Sequence, residues 1–222
     1  MIFLSHILDS KTPSYGNRDK FIISTNSEIV NDVGANTSKW VFTNNHIGTH
    51  IDTPYHFYKT GKQIKDYKAS DFVFYKIGIH EVPRKSGSLI CVKDFKLEDL
   101  DTEIELLIIK TGYGAYRNSK KYYQDNPGLS SELAKKLKKA FPKLRAVGFD
   151  FISLTSWNHR EEGRKSHLSF LNTEIDIIII EDMKLDEIFS ESKFKWVIVS
   201  PLRTEDGNGG PVTIIADFYE KL

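Results

Sequence analysis

The chain has 222 residues, 40% of them apolar and 12% aromatic, which is enough for one packed domain and short for two. Its 31 basic and 30 acidic residues give a net charge of +1, so a broad electrostatic surface for nucleic acid is excluded. Apolar runs such as residues 177–180 are too short to span a bilayer, and one cysteine excludes an internal disulfide framework. We expect a single cytoplasmic domain over residues 1–222, with neither nucleic-acid nor membrane partners.

Short segments rich in Val, Ile, Phe and Tyr, bounded by turn residues, dominate the chain and predict strands. In chain order they are residues 21–24, 39–42, 72–81, 88–92, 106–110, 145–149, 176–180, 195–200 and 211–218. Cys91 lies inside one of these segments, which favours a buried structural thiol over a nucleophile. The sequence GNGGP at residues 207–211 predicts a turn before the final strand.

Helical periodicity is clearest over residues 130–140, where Ser130 is suited to cap the helix. Residues 97–100 and 185–189 are predicted to form shorter helices. Residues 159–162 are polar, and we expect a flexible stretch there.

The predicted helix of residues 130–140 connects two predicted strands, residues 106–110 and 145–149. A strand–helix–strand unit of this kind usually forms a parallel crossover. The other strands follow one another without long helices, which indicates antiparallel or mixed pairing. We therefore predict an α/β fold built on a mixed, barrel-like sheet with few helices.

Three of the seven histidines, together with an aspartate, fall within residues 46–57, whose sequence is HIGTHIDTPYHF. Neutral imidazole and carboxylate form a ligand set that suits Zn²⁺, Mn²⁺ or Fe²⁺. A further histidine beside a metal can transfer protons. Because a divalent metal activates water for attack on a carbonyl carbon, the segment predicts metal-assisted hydrolysis.

The spacing within this segment indicates a bent loop and not a helix. His46 and His50 are four residues apart, as in a helical ligand pair, but Gly48 and Pro54 make the segment a poor helix. In an extended chain His50 and Asp52 point to the same face, whereas His46 would lie about 13 Å from His50. The chain must therefore bend between the two histidines, and Gly48 tolerates the backbone angles of a bend.

HIGTHIDTPYHF matches the HxGTHxDxPxHF signature of the cyclase-like metal-dependent hydrolases, and the chain resembles that family, which includes kynurenine formamidases and isatin hydrolases. Shorter similarities occur in the family's order at LSH, KTG, PGLS, VGFD, IIEDM and PLR, which begin at residues 4, 110, 127, 147, 179 and 201. The resemblance implies the swivelling β/β/α fold, with homodimers or homotetramers.

The resemblance also implies a ligand set for one or two divalent ions, Zn or Mn. His46, His50 and Asp52 are predicted to hold the first ion. In two-metal members a later histidine and a glutamate complete the site, and His167 and Glu181 match those positions, with Asp52 as the bridge.

Three other histidines are interpreted differently. His159 is an alternative to His167, which we prefer because an apolar segment, residues 168–171, follows it as in the family. His6 and His80 are interpreted as structural. His56 lies two residues beyond Pro54, outside the predicted ligand set, and we assign it proton transfer to the leaving nitrogen.

The function implied by the resemblance is hydrolysis of an amide, lactam or related carbon–nitrogen bond in a small, often aromatic, substrate. Phe57, Trp157 and Tyr15 are candidate walls of its pocket. A metal-dependent cyclase or dehydratase of a polyketide- or sugar-derived substrate is the competing enzyme, and a non-catalytic metal-retaining protein is the alternative of another class.

Overall fold

The computed structural model describes residues 1–219. Its strands are β1 (Ile2–Phe3), β2 (Phe21–Ser27), β3 (Thr37–Phe42), β4 (His50–Asp52), β5 (Val73–Phe74), β6 (Ile77–Glu81), β7 (Leu89–Ile90), β8 (Leu106–Lys110), β9 (Gly128–Leu129), β10 (Ala146–Phe149), β11 (Ile178–Glu181), β12 (Phe194–Pro201) and β13 (Gly209–Phe218). The α-helices are α1 (Lys120–Gln124), α2 (Glu132–Ala140) and α3 (Arg160–Phe170). In this part of the chain no helix is both long and apolar enough to cross a membrane.

Nine strands form one mixed sheet in the order β5-β12-β13-β4-β11-β10-β8-β6, with β1 alongside β13. Strands β6, β8, β10 and β11 run parallel to one another, whereas β4 is antiparallel to both of its neighbours. The sheet curls so that β12, near one end, also contacts β6 at the other. The predicted α/β fold, with a mixed barrel-like sheet and few helices, is confirmed.

Alternating side chains of the central strands supply two apolar clusters, one on each side of the sheet. Leu107 and Ile109 of β8 pack in the cluster that includes Leu133 and Leu137 of α2 and Phe170 of α3. The alternate residues of β8, Leu106 and Ile108, belong to the other cluster. That cluster lies on the inner side of the curled sheet and includes Ile51 of β4. Because both sides of the central strands are buried, β4 and its neighbours are held at fixed positions in the middle of the molecule.

The predicted crossover is present, since β8 and β10 pair in parallel and α2 lies between them in the chain. The predicted cap is wrong, because the helix begins at Glu132 and its cap position is Ser131, which makes no side-chain capping bond. Glu162 on α3 accepts a hydrogen bond from the backbone N–H of Ser131 at 2.7 Å instead. The hydrogen-bond acceptor at the start of α2 therefore comes from α3, and not from the side chain of Ser130 as the sequence predicts.

Three other predictions about local structure are wrong. Residues 72–81, predicted as one strand, form two, β5 and β6, which lie at opposite edges of the sheet. The chain turns between them, where the Glu105 carboxylate accepts hydrogen bonds from the backbone N–H groups of Tyr75 and Lys76. Residues 185–189 form a turn, not a helix. Cys91 is half-buried and not buried.

The predicted flexible stretch at residues 159–162 is also wrong, because it begins helix α3. The buried positions of α3 include Gly163, Ser166 and His167, so the helix lacks the apolar period that identifies most helices from sequence. The expectation of a single domain over residues 1–222 stays a prediction, and residues 220–222 lie outside the described part.

Two of the short motifs meet at the ends of β8 and β10. The buried carboxylate of Asp150, after β10, accepts hydrogen bonds from the backbone N–H and hydroxyl of Thr111 and from the backbone N–H of Gly112, at 2.6–2.8 Å. Burial by itself raises the pKa of Asp150, and these hydrogen bonds oppose that effect. The carboxylate therefore fastens the two parallel strand ends together.

We expect Asp150→Ala to lower the free energy of unfolding by about 3 kcal/mol, because two buried donors of Thr111 and one partly buried donor of Gly112 lose their acceptor. Thermal or denaturant unfolding measures the change. Asp99→Ala is the matched control, since Asp99 is exposed. Equal stability of the two variants would contradict the role given to Asp150.

Candidate metal centre and active site

The segment of residues 46–57 has the bend that its composition predicts. Gly48 has a φ of +67°, in the left-handed region, and an added Cβ would lie 2.6 Å from Leu8. Strand β4 follows at once and carries His50 and Asp52, and a short 3₁₀ turn, Pro54–His56, comes after it. The bend therefore lets residues on both sides of Gly48 reach one site.

The sheet register brings the second predicted half of the site to the first. Strand β4 lies between β11 and β13, and His50 is paired with Glu181, the last residue of β11. His167 reaches the same place from α3, on the outer layer. Two strands and one helix thus position His50, Asp52, His167 and Glu181 around a common centre.

The four side chains have the spacing of metal ligands. The Nε2 atom of His50 lies 3.5 Å from Asp52 Oδ1 and 3.4 Å from Glu181 Oε2. The Nε2 atom of His167 lies 3.5 Å from Asp52 Oδ2 and 3.6 Å from Glu181 Oε1. These separations are long for hydrogen bonds. Ligands about 2.1 Å from a tetrahedral ion lie about 3.4 Å apart, so the donor set fits a divalent metal.

Backbone acceptors orient both imidazole rings. His50 Nδ1 lies 2.8 Å from the carbonyl oxygen of Gly48, and His167 Nδ1 lies 2.9 Å from that of Gly163. A carbonyl oxygen can only accept, so each Nδ1 carries the proton and each Nε2 is left to face the carboxylates. Gly163 has no room for a side chain, since a Cβ would lie 2.4 Å from Thr155.

Asp52 and Glu181 are buried carboxylates, 1% and 3% exposed, whose charged partners among residues 1–219 are histidines alone. Glu181 also accepts a hydrogen bond from the backbone N–H of Leu154 at 2.7 Å. Burial by itself raises the pKa of Asp52, but His46 and His56 outweigh it and hold that pKa well below its ordinary value. Two buried negative charges need positive charge nearby, which protonated histidines supply in part and a divalent ion would supply in full.

His46 makes two hydrogen bonds, from Nδ1 to Asp52 Oδ1 at 2.7 Å and from Nε2 to Asn208 Oδ1 at 2.9 Å. To act as a ligand it must give up one of them. Asn208 was not identified from the sequence, because the turn at residues 207–211 gave no sign of contact with His46. The residue after Asn208 is a glycine for the same reason of close approach, since a Cβ on Gly209 would lie 2.6 Å from the His46 ring.

His56 lies beside the ligand cluster, with its ring centroid 4.1 Å from that of His46 and 6.0 Å from that of His167. It is half-buried, and burial, opposed by Asp52 and assisted by the neighbouring histidines, lowers its pKa to about 4. His46, Asp52 and His56 also have ligand spacing, so the geometry permits His56 to bind metal as well as to transfer protons.

Aromatic and cationic side chains lie around Phe57 and Trp157. The Phe57 ring stacks on His167, with centroids 4.7 Å apart, and Tyr15 packs against Trp157 at 5.3 Å. Arg160 lies 4.0 Å from the centroid of Trp157, and Arg164 lies 5.7 Å from that of Phe57. Of the three predicted wall residues, Phe57 therefore contacts a predicted ligand directly, while Tyr15 and Trp157 pack against each other.

The remaining histidines lie elsewhere. His159 is exposed at the opposite end of α3 from His167. His80 stacks on Phe95, with centroids 4.6 Å apart. His6 lies 4.0 Å from Asp182, and burial lowers the pKa of His6.

Glu181 is followed by a buried residue that fixes the end of β11. Asp182 has a φ of +55°, and its carboxylate accepts hydrogen bonds from two nitrogens of Arg117, Nε and Nη2, at 2.7–3.2 Å. Tyr122 donates a further hydrogen bond to the same carboxylate. These contacts hold the backbone that carries Glu181 and were not foreseen from the sequence.

Residues 2–156 match the sequence model of the Cyclase family, described as "Putative cyclase". The chain belongs to this family. It is 28% identical over 170 residues to a kynurenine formamidase from Bacillus cytotoxicus, a region covering 77% of this chain and 75% of that protein. It is 26% identical over 212 residues to a kynurenine formamidase from Geobacillus thermodenitrificans, a region covering 95% of this chain and 94% of that protein.

Solved structures share the fold at low sequence identity. Isatin hydrolase A from Labrenzia aggregata, bound to benzyl benzoate, has a TM-score of 0.82 and 16% identity, with 99% of this chain and 93% of that chain covered. A predicted metal-dependent hydrolase from Bacillus stearothermophilus has a TM-score of 0.74 and 18% identity, with 97% and 96% covered.

We expect Glu181→Gln to lose metal binding, because the amide cannot offer the second buried negative charge. Saturating Zn²⁺ or Mn²⁺ should raise the melting temperature of the wild type by about 5–10 °C and that of Glu181→Gln by far less. Elemental analysis after gel filtration gives the metal content. Glu187→Gln, which changes an exposed glutamate, is the control. Full metal content in Glu181→Gln would contradict the assignment.

Metal binding should also depend on pH. Burial by itself lowers the pKa of His167, but the hydrogen bonds and charges of Asp52 and Glu181 outweigh it and raise that pKa to about 10 in the metal-free protein. Below that pH an ion at Nε2 must displace a proton, so the apparent affinity should rise about tenfold per pH unit between pH 6 and 8 for each proton released. Calorimetry in buffers of different ionisation enthalpy counts the protons, and an affinity independent of pH would contradict this.

Proposed function

We propose that the protein is a metal-dependent hydrolase that cleaves an amide, lactam or related carbon–nitrogen bond of a small aromatic substrate. The observation that carries the proposal is the pair of buried carboxylates, Asp52 and Glu181, facing the Nε2 atoms of His50 and His167. Membership of the Cyclase family and similarity to two kynurenine formamidases support the same chemistry.

The ligand assignment is His46, His50 and Asp52 for one ion, and Asp52, His167 and Glu181 for a second. Asp52 supports this division because its two oxygens face different histidines, Oδ1 towards His50 and Oδ2 towards His167. The nitrogen and oxygen donors suit Zn²⁺ or Mn²⁺. When bound, such an ion polarises a carbonyl group and makes water a stronger acid.

His56 is assigned proton transfer and not metal binding. With a pKa near 4 its ring is neutral at pH 7, so it can accept a proton from the attacking water and pass it to the leaving nitrogen. The structure records no hydrogen bond to either of its ring nitrogens among residues 1–219, whereas His46, His50 and His167 each have at least one such bond. His56 is therefore free to meet a substrate.

The surroundings favour an aromatic substrate that carries a negative group. Phe57 offers a flat apolar surface against His167, Tyr15 and Trp157 form an aromatic pair, and Arg160 and Arg164 add positive charge beside Trp157 and Phe57. An arylformamidase-like reaction on an acidic aryl formamide fits this combination. The single cysteine supports a reducing, cytoplasmic location.

Product analysis separates hydrolysis from the two other candidates. A simple aryl formamide and an aromatic lactam are incubated with the metal-loaded enzyme in ¹⁸O-labelled water. Hydrolysis places solvent oxygen in the acid product, whereas cyclisation or dehydration incorporates none. Turnover without solvent oxygen would contradict the proposal in favour of the cyclase, and no turnover of any formamide, lactam or ester with either metal would favour a non-catalytic metal-retaining protein.

We expect His56→Ala to lower kcat by about 10²–10⁴-fold while keeping full metal content, because the variant loses proton transfer and keeps the ligands. Steady-state kinetics at saturating metal and elemental analysis are measured on the same sample. His159→Ala is the matched control, since it makes the same substitution at an exposed histidine outside the site. A variant with unchanged kcat would contradict the role in catalysis, and one without metal would make His56 a ligand.

A further inference from the structure

Asp182 is the most deeply buried acidic residue among residues 1–219, 0% exposed, and it directly follows the predicted ligand Glu181. Its carboxylate accepts hydrogen bonds from Arg117 and Tyr122. The charged partners of Asp52 and Glu181 in the same part of the chain are histidines alone. Because its charge and its oxygens are already engaged by other side chains, Asp182 is not a further metal ligand.

The backbone of Asp182 joins the two strands of the candidate metal centre. Strands β11 and β4 are antiparallel, and Glu181 is paired with His50. One position further along, the hydroxyl of Thr49 donates a buried hydrogen bond to the carbonyl oxygen of Asp182 at 2.6 Å. The same hydroxyl accepts a hydrogen bond from the backbone N–H of His6 at 2.9 Å, so it is held from two sides. This contact is adjacent to the ligand pair and therefore helps to set how far apart the two ligands lie.

The backbone conformation of Asp182 requires support from its surroundings. Its φ of +55° lies in the left-handed region, which a residue other than glycine adopts only where the structure holds it. The N–H of Asp182 donates to the carbonyl oxygen of Phe151 at 3.0 Å, and the carboxylate is bound by Arg117 and Tyr122. Contacts to the side chain thus fix the direction in which the carbonyl oxygen points.

Arg117 and Tyr122 come from segments that contribute no predicted ligand. Arg117 follows the 3₁₀ turn Tyr113–Tyr116, and Tyr122 lies in α1. The Arg117 side chain is 13% exposed and Tyr122 is fully buried. Burial raises the pKa of Tyr122 and the charge of Asp182 raises it further, so the hydroxyl keeps its proton and donates. Their contact with the strand end that carries the ligand is made through Asp182.

Given the metal centre proposed above, we propose that Arg117 and Tyr122 are positioning residues for it, acting through Asp182. They hold the carboxylate, and the carbonyl oxygen of the same residue in turn holds Thr49. The ligands of β4 and β11 are thereby kept at a fixed separation before an ion binds. Residues that orient metal ligands from outside the ligand set contribute about 10–100-fold to metal affinity.

Two substitutions break this chain of contacts at different points. Arg117→Gln removes the cation, and Thr49→Val removes the hydroxyl while keeping the shape of the side chain. We expect each to weaken Zn²⁺ binding about 10–100-fold. Competition with a chromophoric chelator measures the affinity of the intact chain, at a temperature where unfolding curves show that each variant is folded. The visible absorption bands of the Co²⁺-loaded protein report ligand geometry and should shift in both variants. Wild-type affinity and wild-type bands in both would overturn the proposal.

Two controls separate positioning from a loss of stability. Thr49→Ser retains the hydroxyl and should bind Zn²⁺ like the wild type, so equal losses in Thr49→Val and Thr49→Ser would overturn the proposal. Arg84→Gln breaks a comparable ion pair outside the site, since Arg84 lies 2.5 Å from Asp94. It should keep the wild-type affinity even where its melting temperature falls. An equal loss of affinity in Arg84→Gln would also overturn the proposal.

Tyr122→Phe makes the same test if Arg117→Gln does not fold, because it removes one hydroxyl and keeps the buried ring. We expect its Zn²⁺ affinity to fall about tenfold. Unchanged affinity in both Tyr122→Phe and Thr49→Val would overturn the positioning role alone. A wild type that binds neither Zn²⁺ nor Co²⁺ would overturn the proposed metal-dependent hydrolysis together with it, so the two failures are distinguishable.

Discussion

Asp52 and Glu181 place two carboxylates side by side in the interior, and the surrounding structure is arranged around that pair. Neither has a lysine or arginine partner among residues 1–219, although an unpaired buried charge costs several kcal/mol. The nearest groups are imidazoles whose Nδ1 atoms are held by backbone carbonyls. Asp52 and Glu181 raise the pKa of His167 to about 10, so in the metal-free protein this ring carries a proton that a divalent cation at Nε2 would displace.

The fold supports this pair from three directions. Strand β4 lies between β11 and β13, which fixes Asp52 opposite Gly209 and places Glu181 beside His50. Helix α3 brings His167 from the outer layer. The bend at Gly48 lets His46 approach the same centre. The chemistry therefore depends on the middle of the sheet, where both faces are buried and little movement is possible.

Part of the fold and most of the candidate site could be predicted from the sequence, because metal-binding side chains and apolar strands have recognisable patterns. Strand 106–110 and the histidine segment follow from composition and spacing, and a family pattern pointed to His167 and Glu181, which the fold brings together. Asn208 and Gly163 could not be foreseen, because they act by close approach between elements far apart in sequence. Helix α3 could not be predicted, because small and polar residues occupy most of its buried side. The sequence predicted strands β2 and β3 but not the exposed hairpin that they form.

The central claim is that the two buried carboxylates share divalent metal with His50 and His167. Anomalous diffraction from crystals grown with Mn²⁺ or Zn²⁺ tests it most directly. The account predicts anomalous density within about 2.3 Å of oxygens from both Asp52 and Glu181 and of an Nε2 atom. No density at saturating metal, or density whose ligands exclude these two carboxylates, would contradict it.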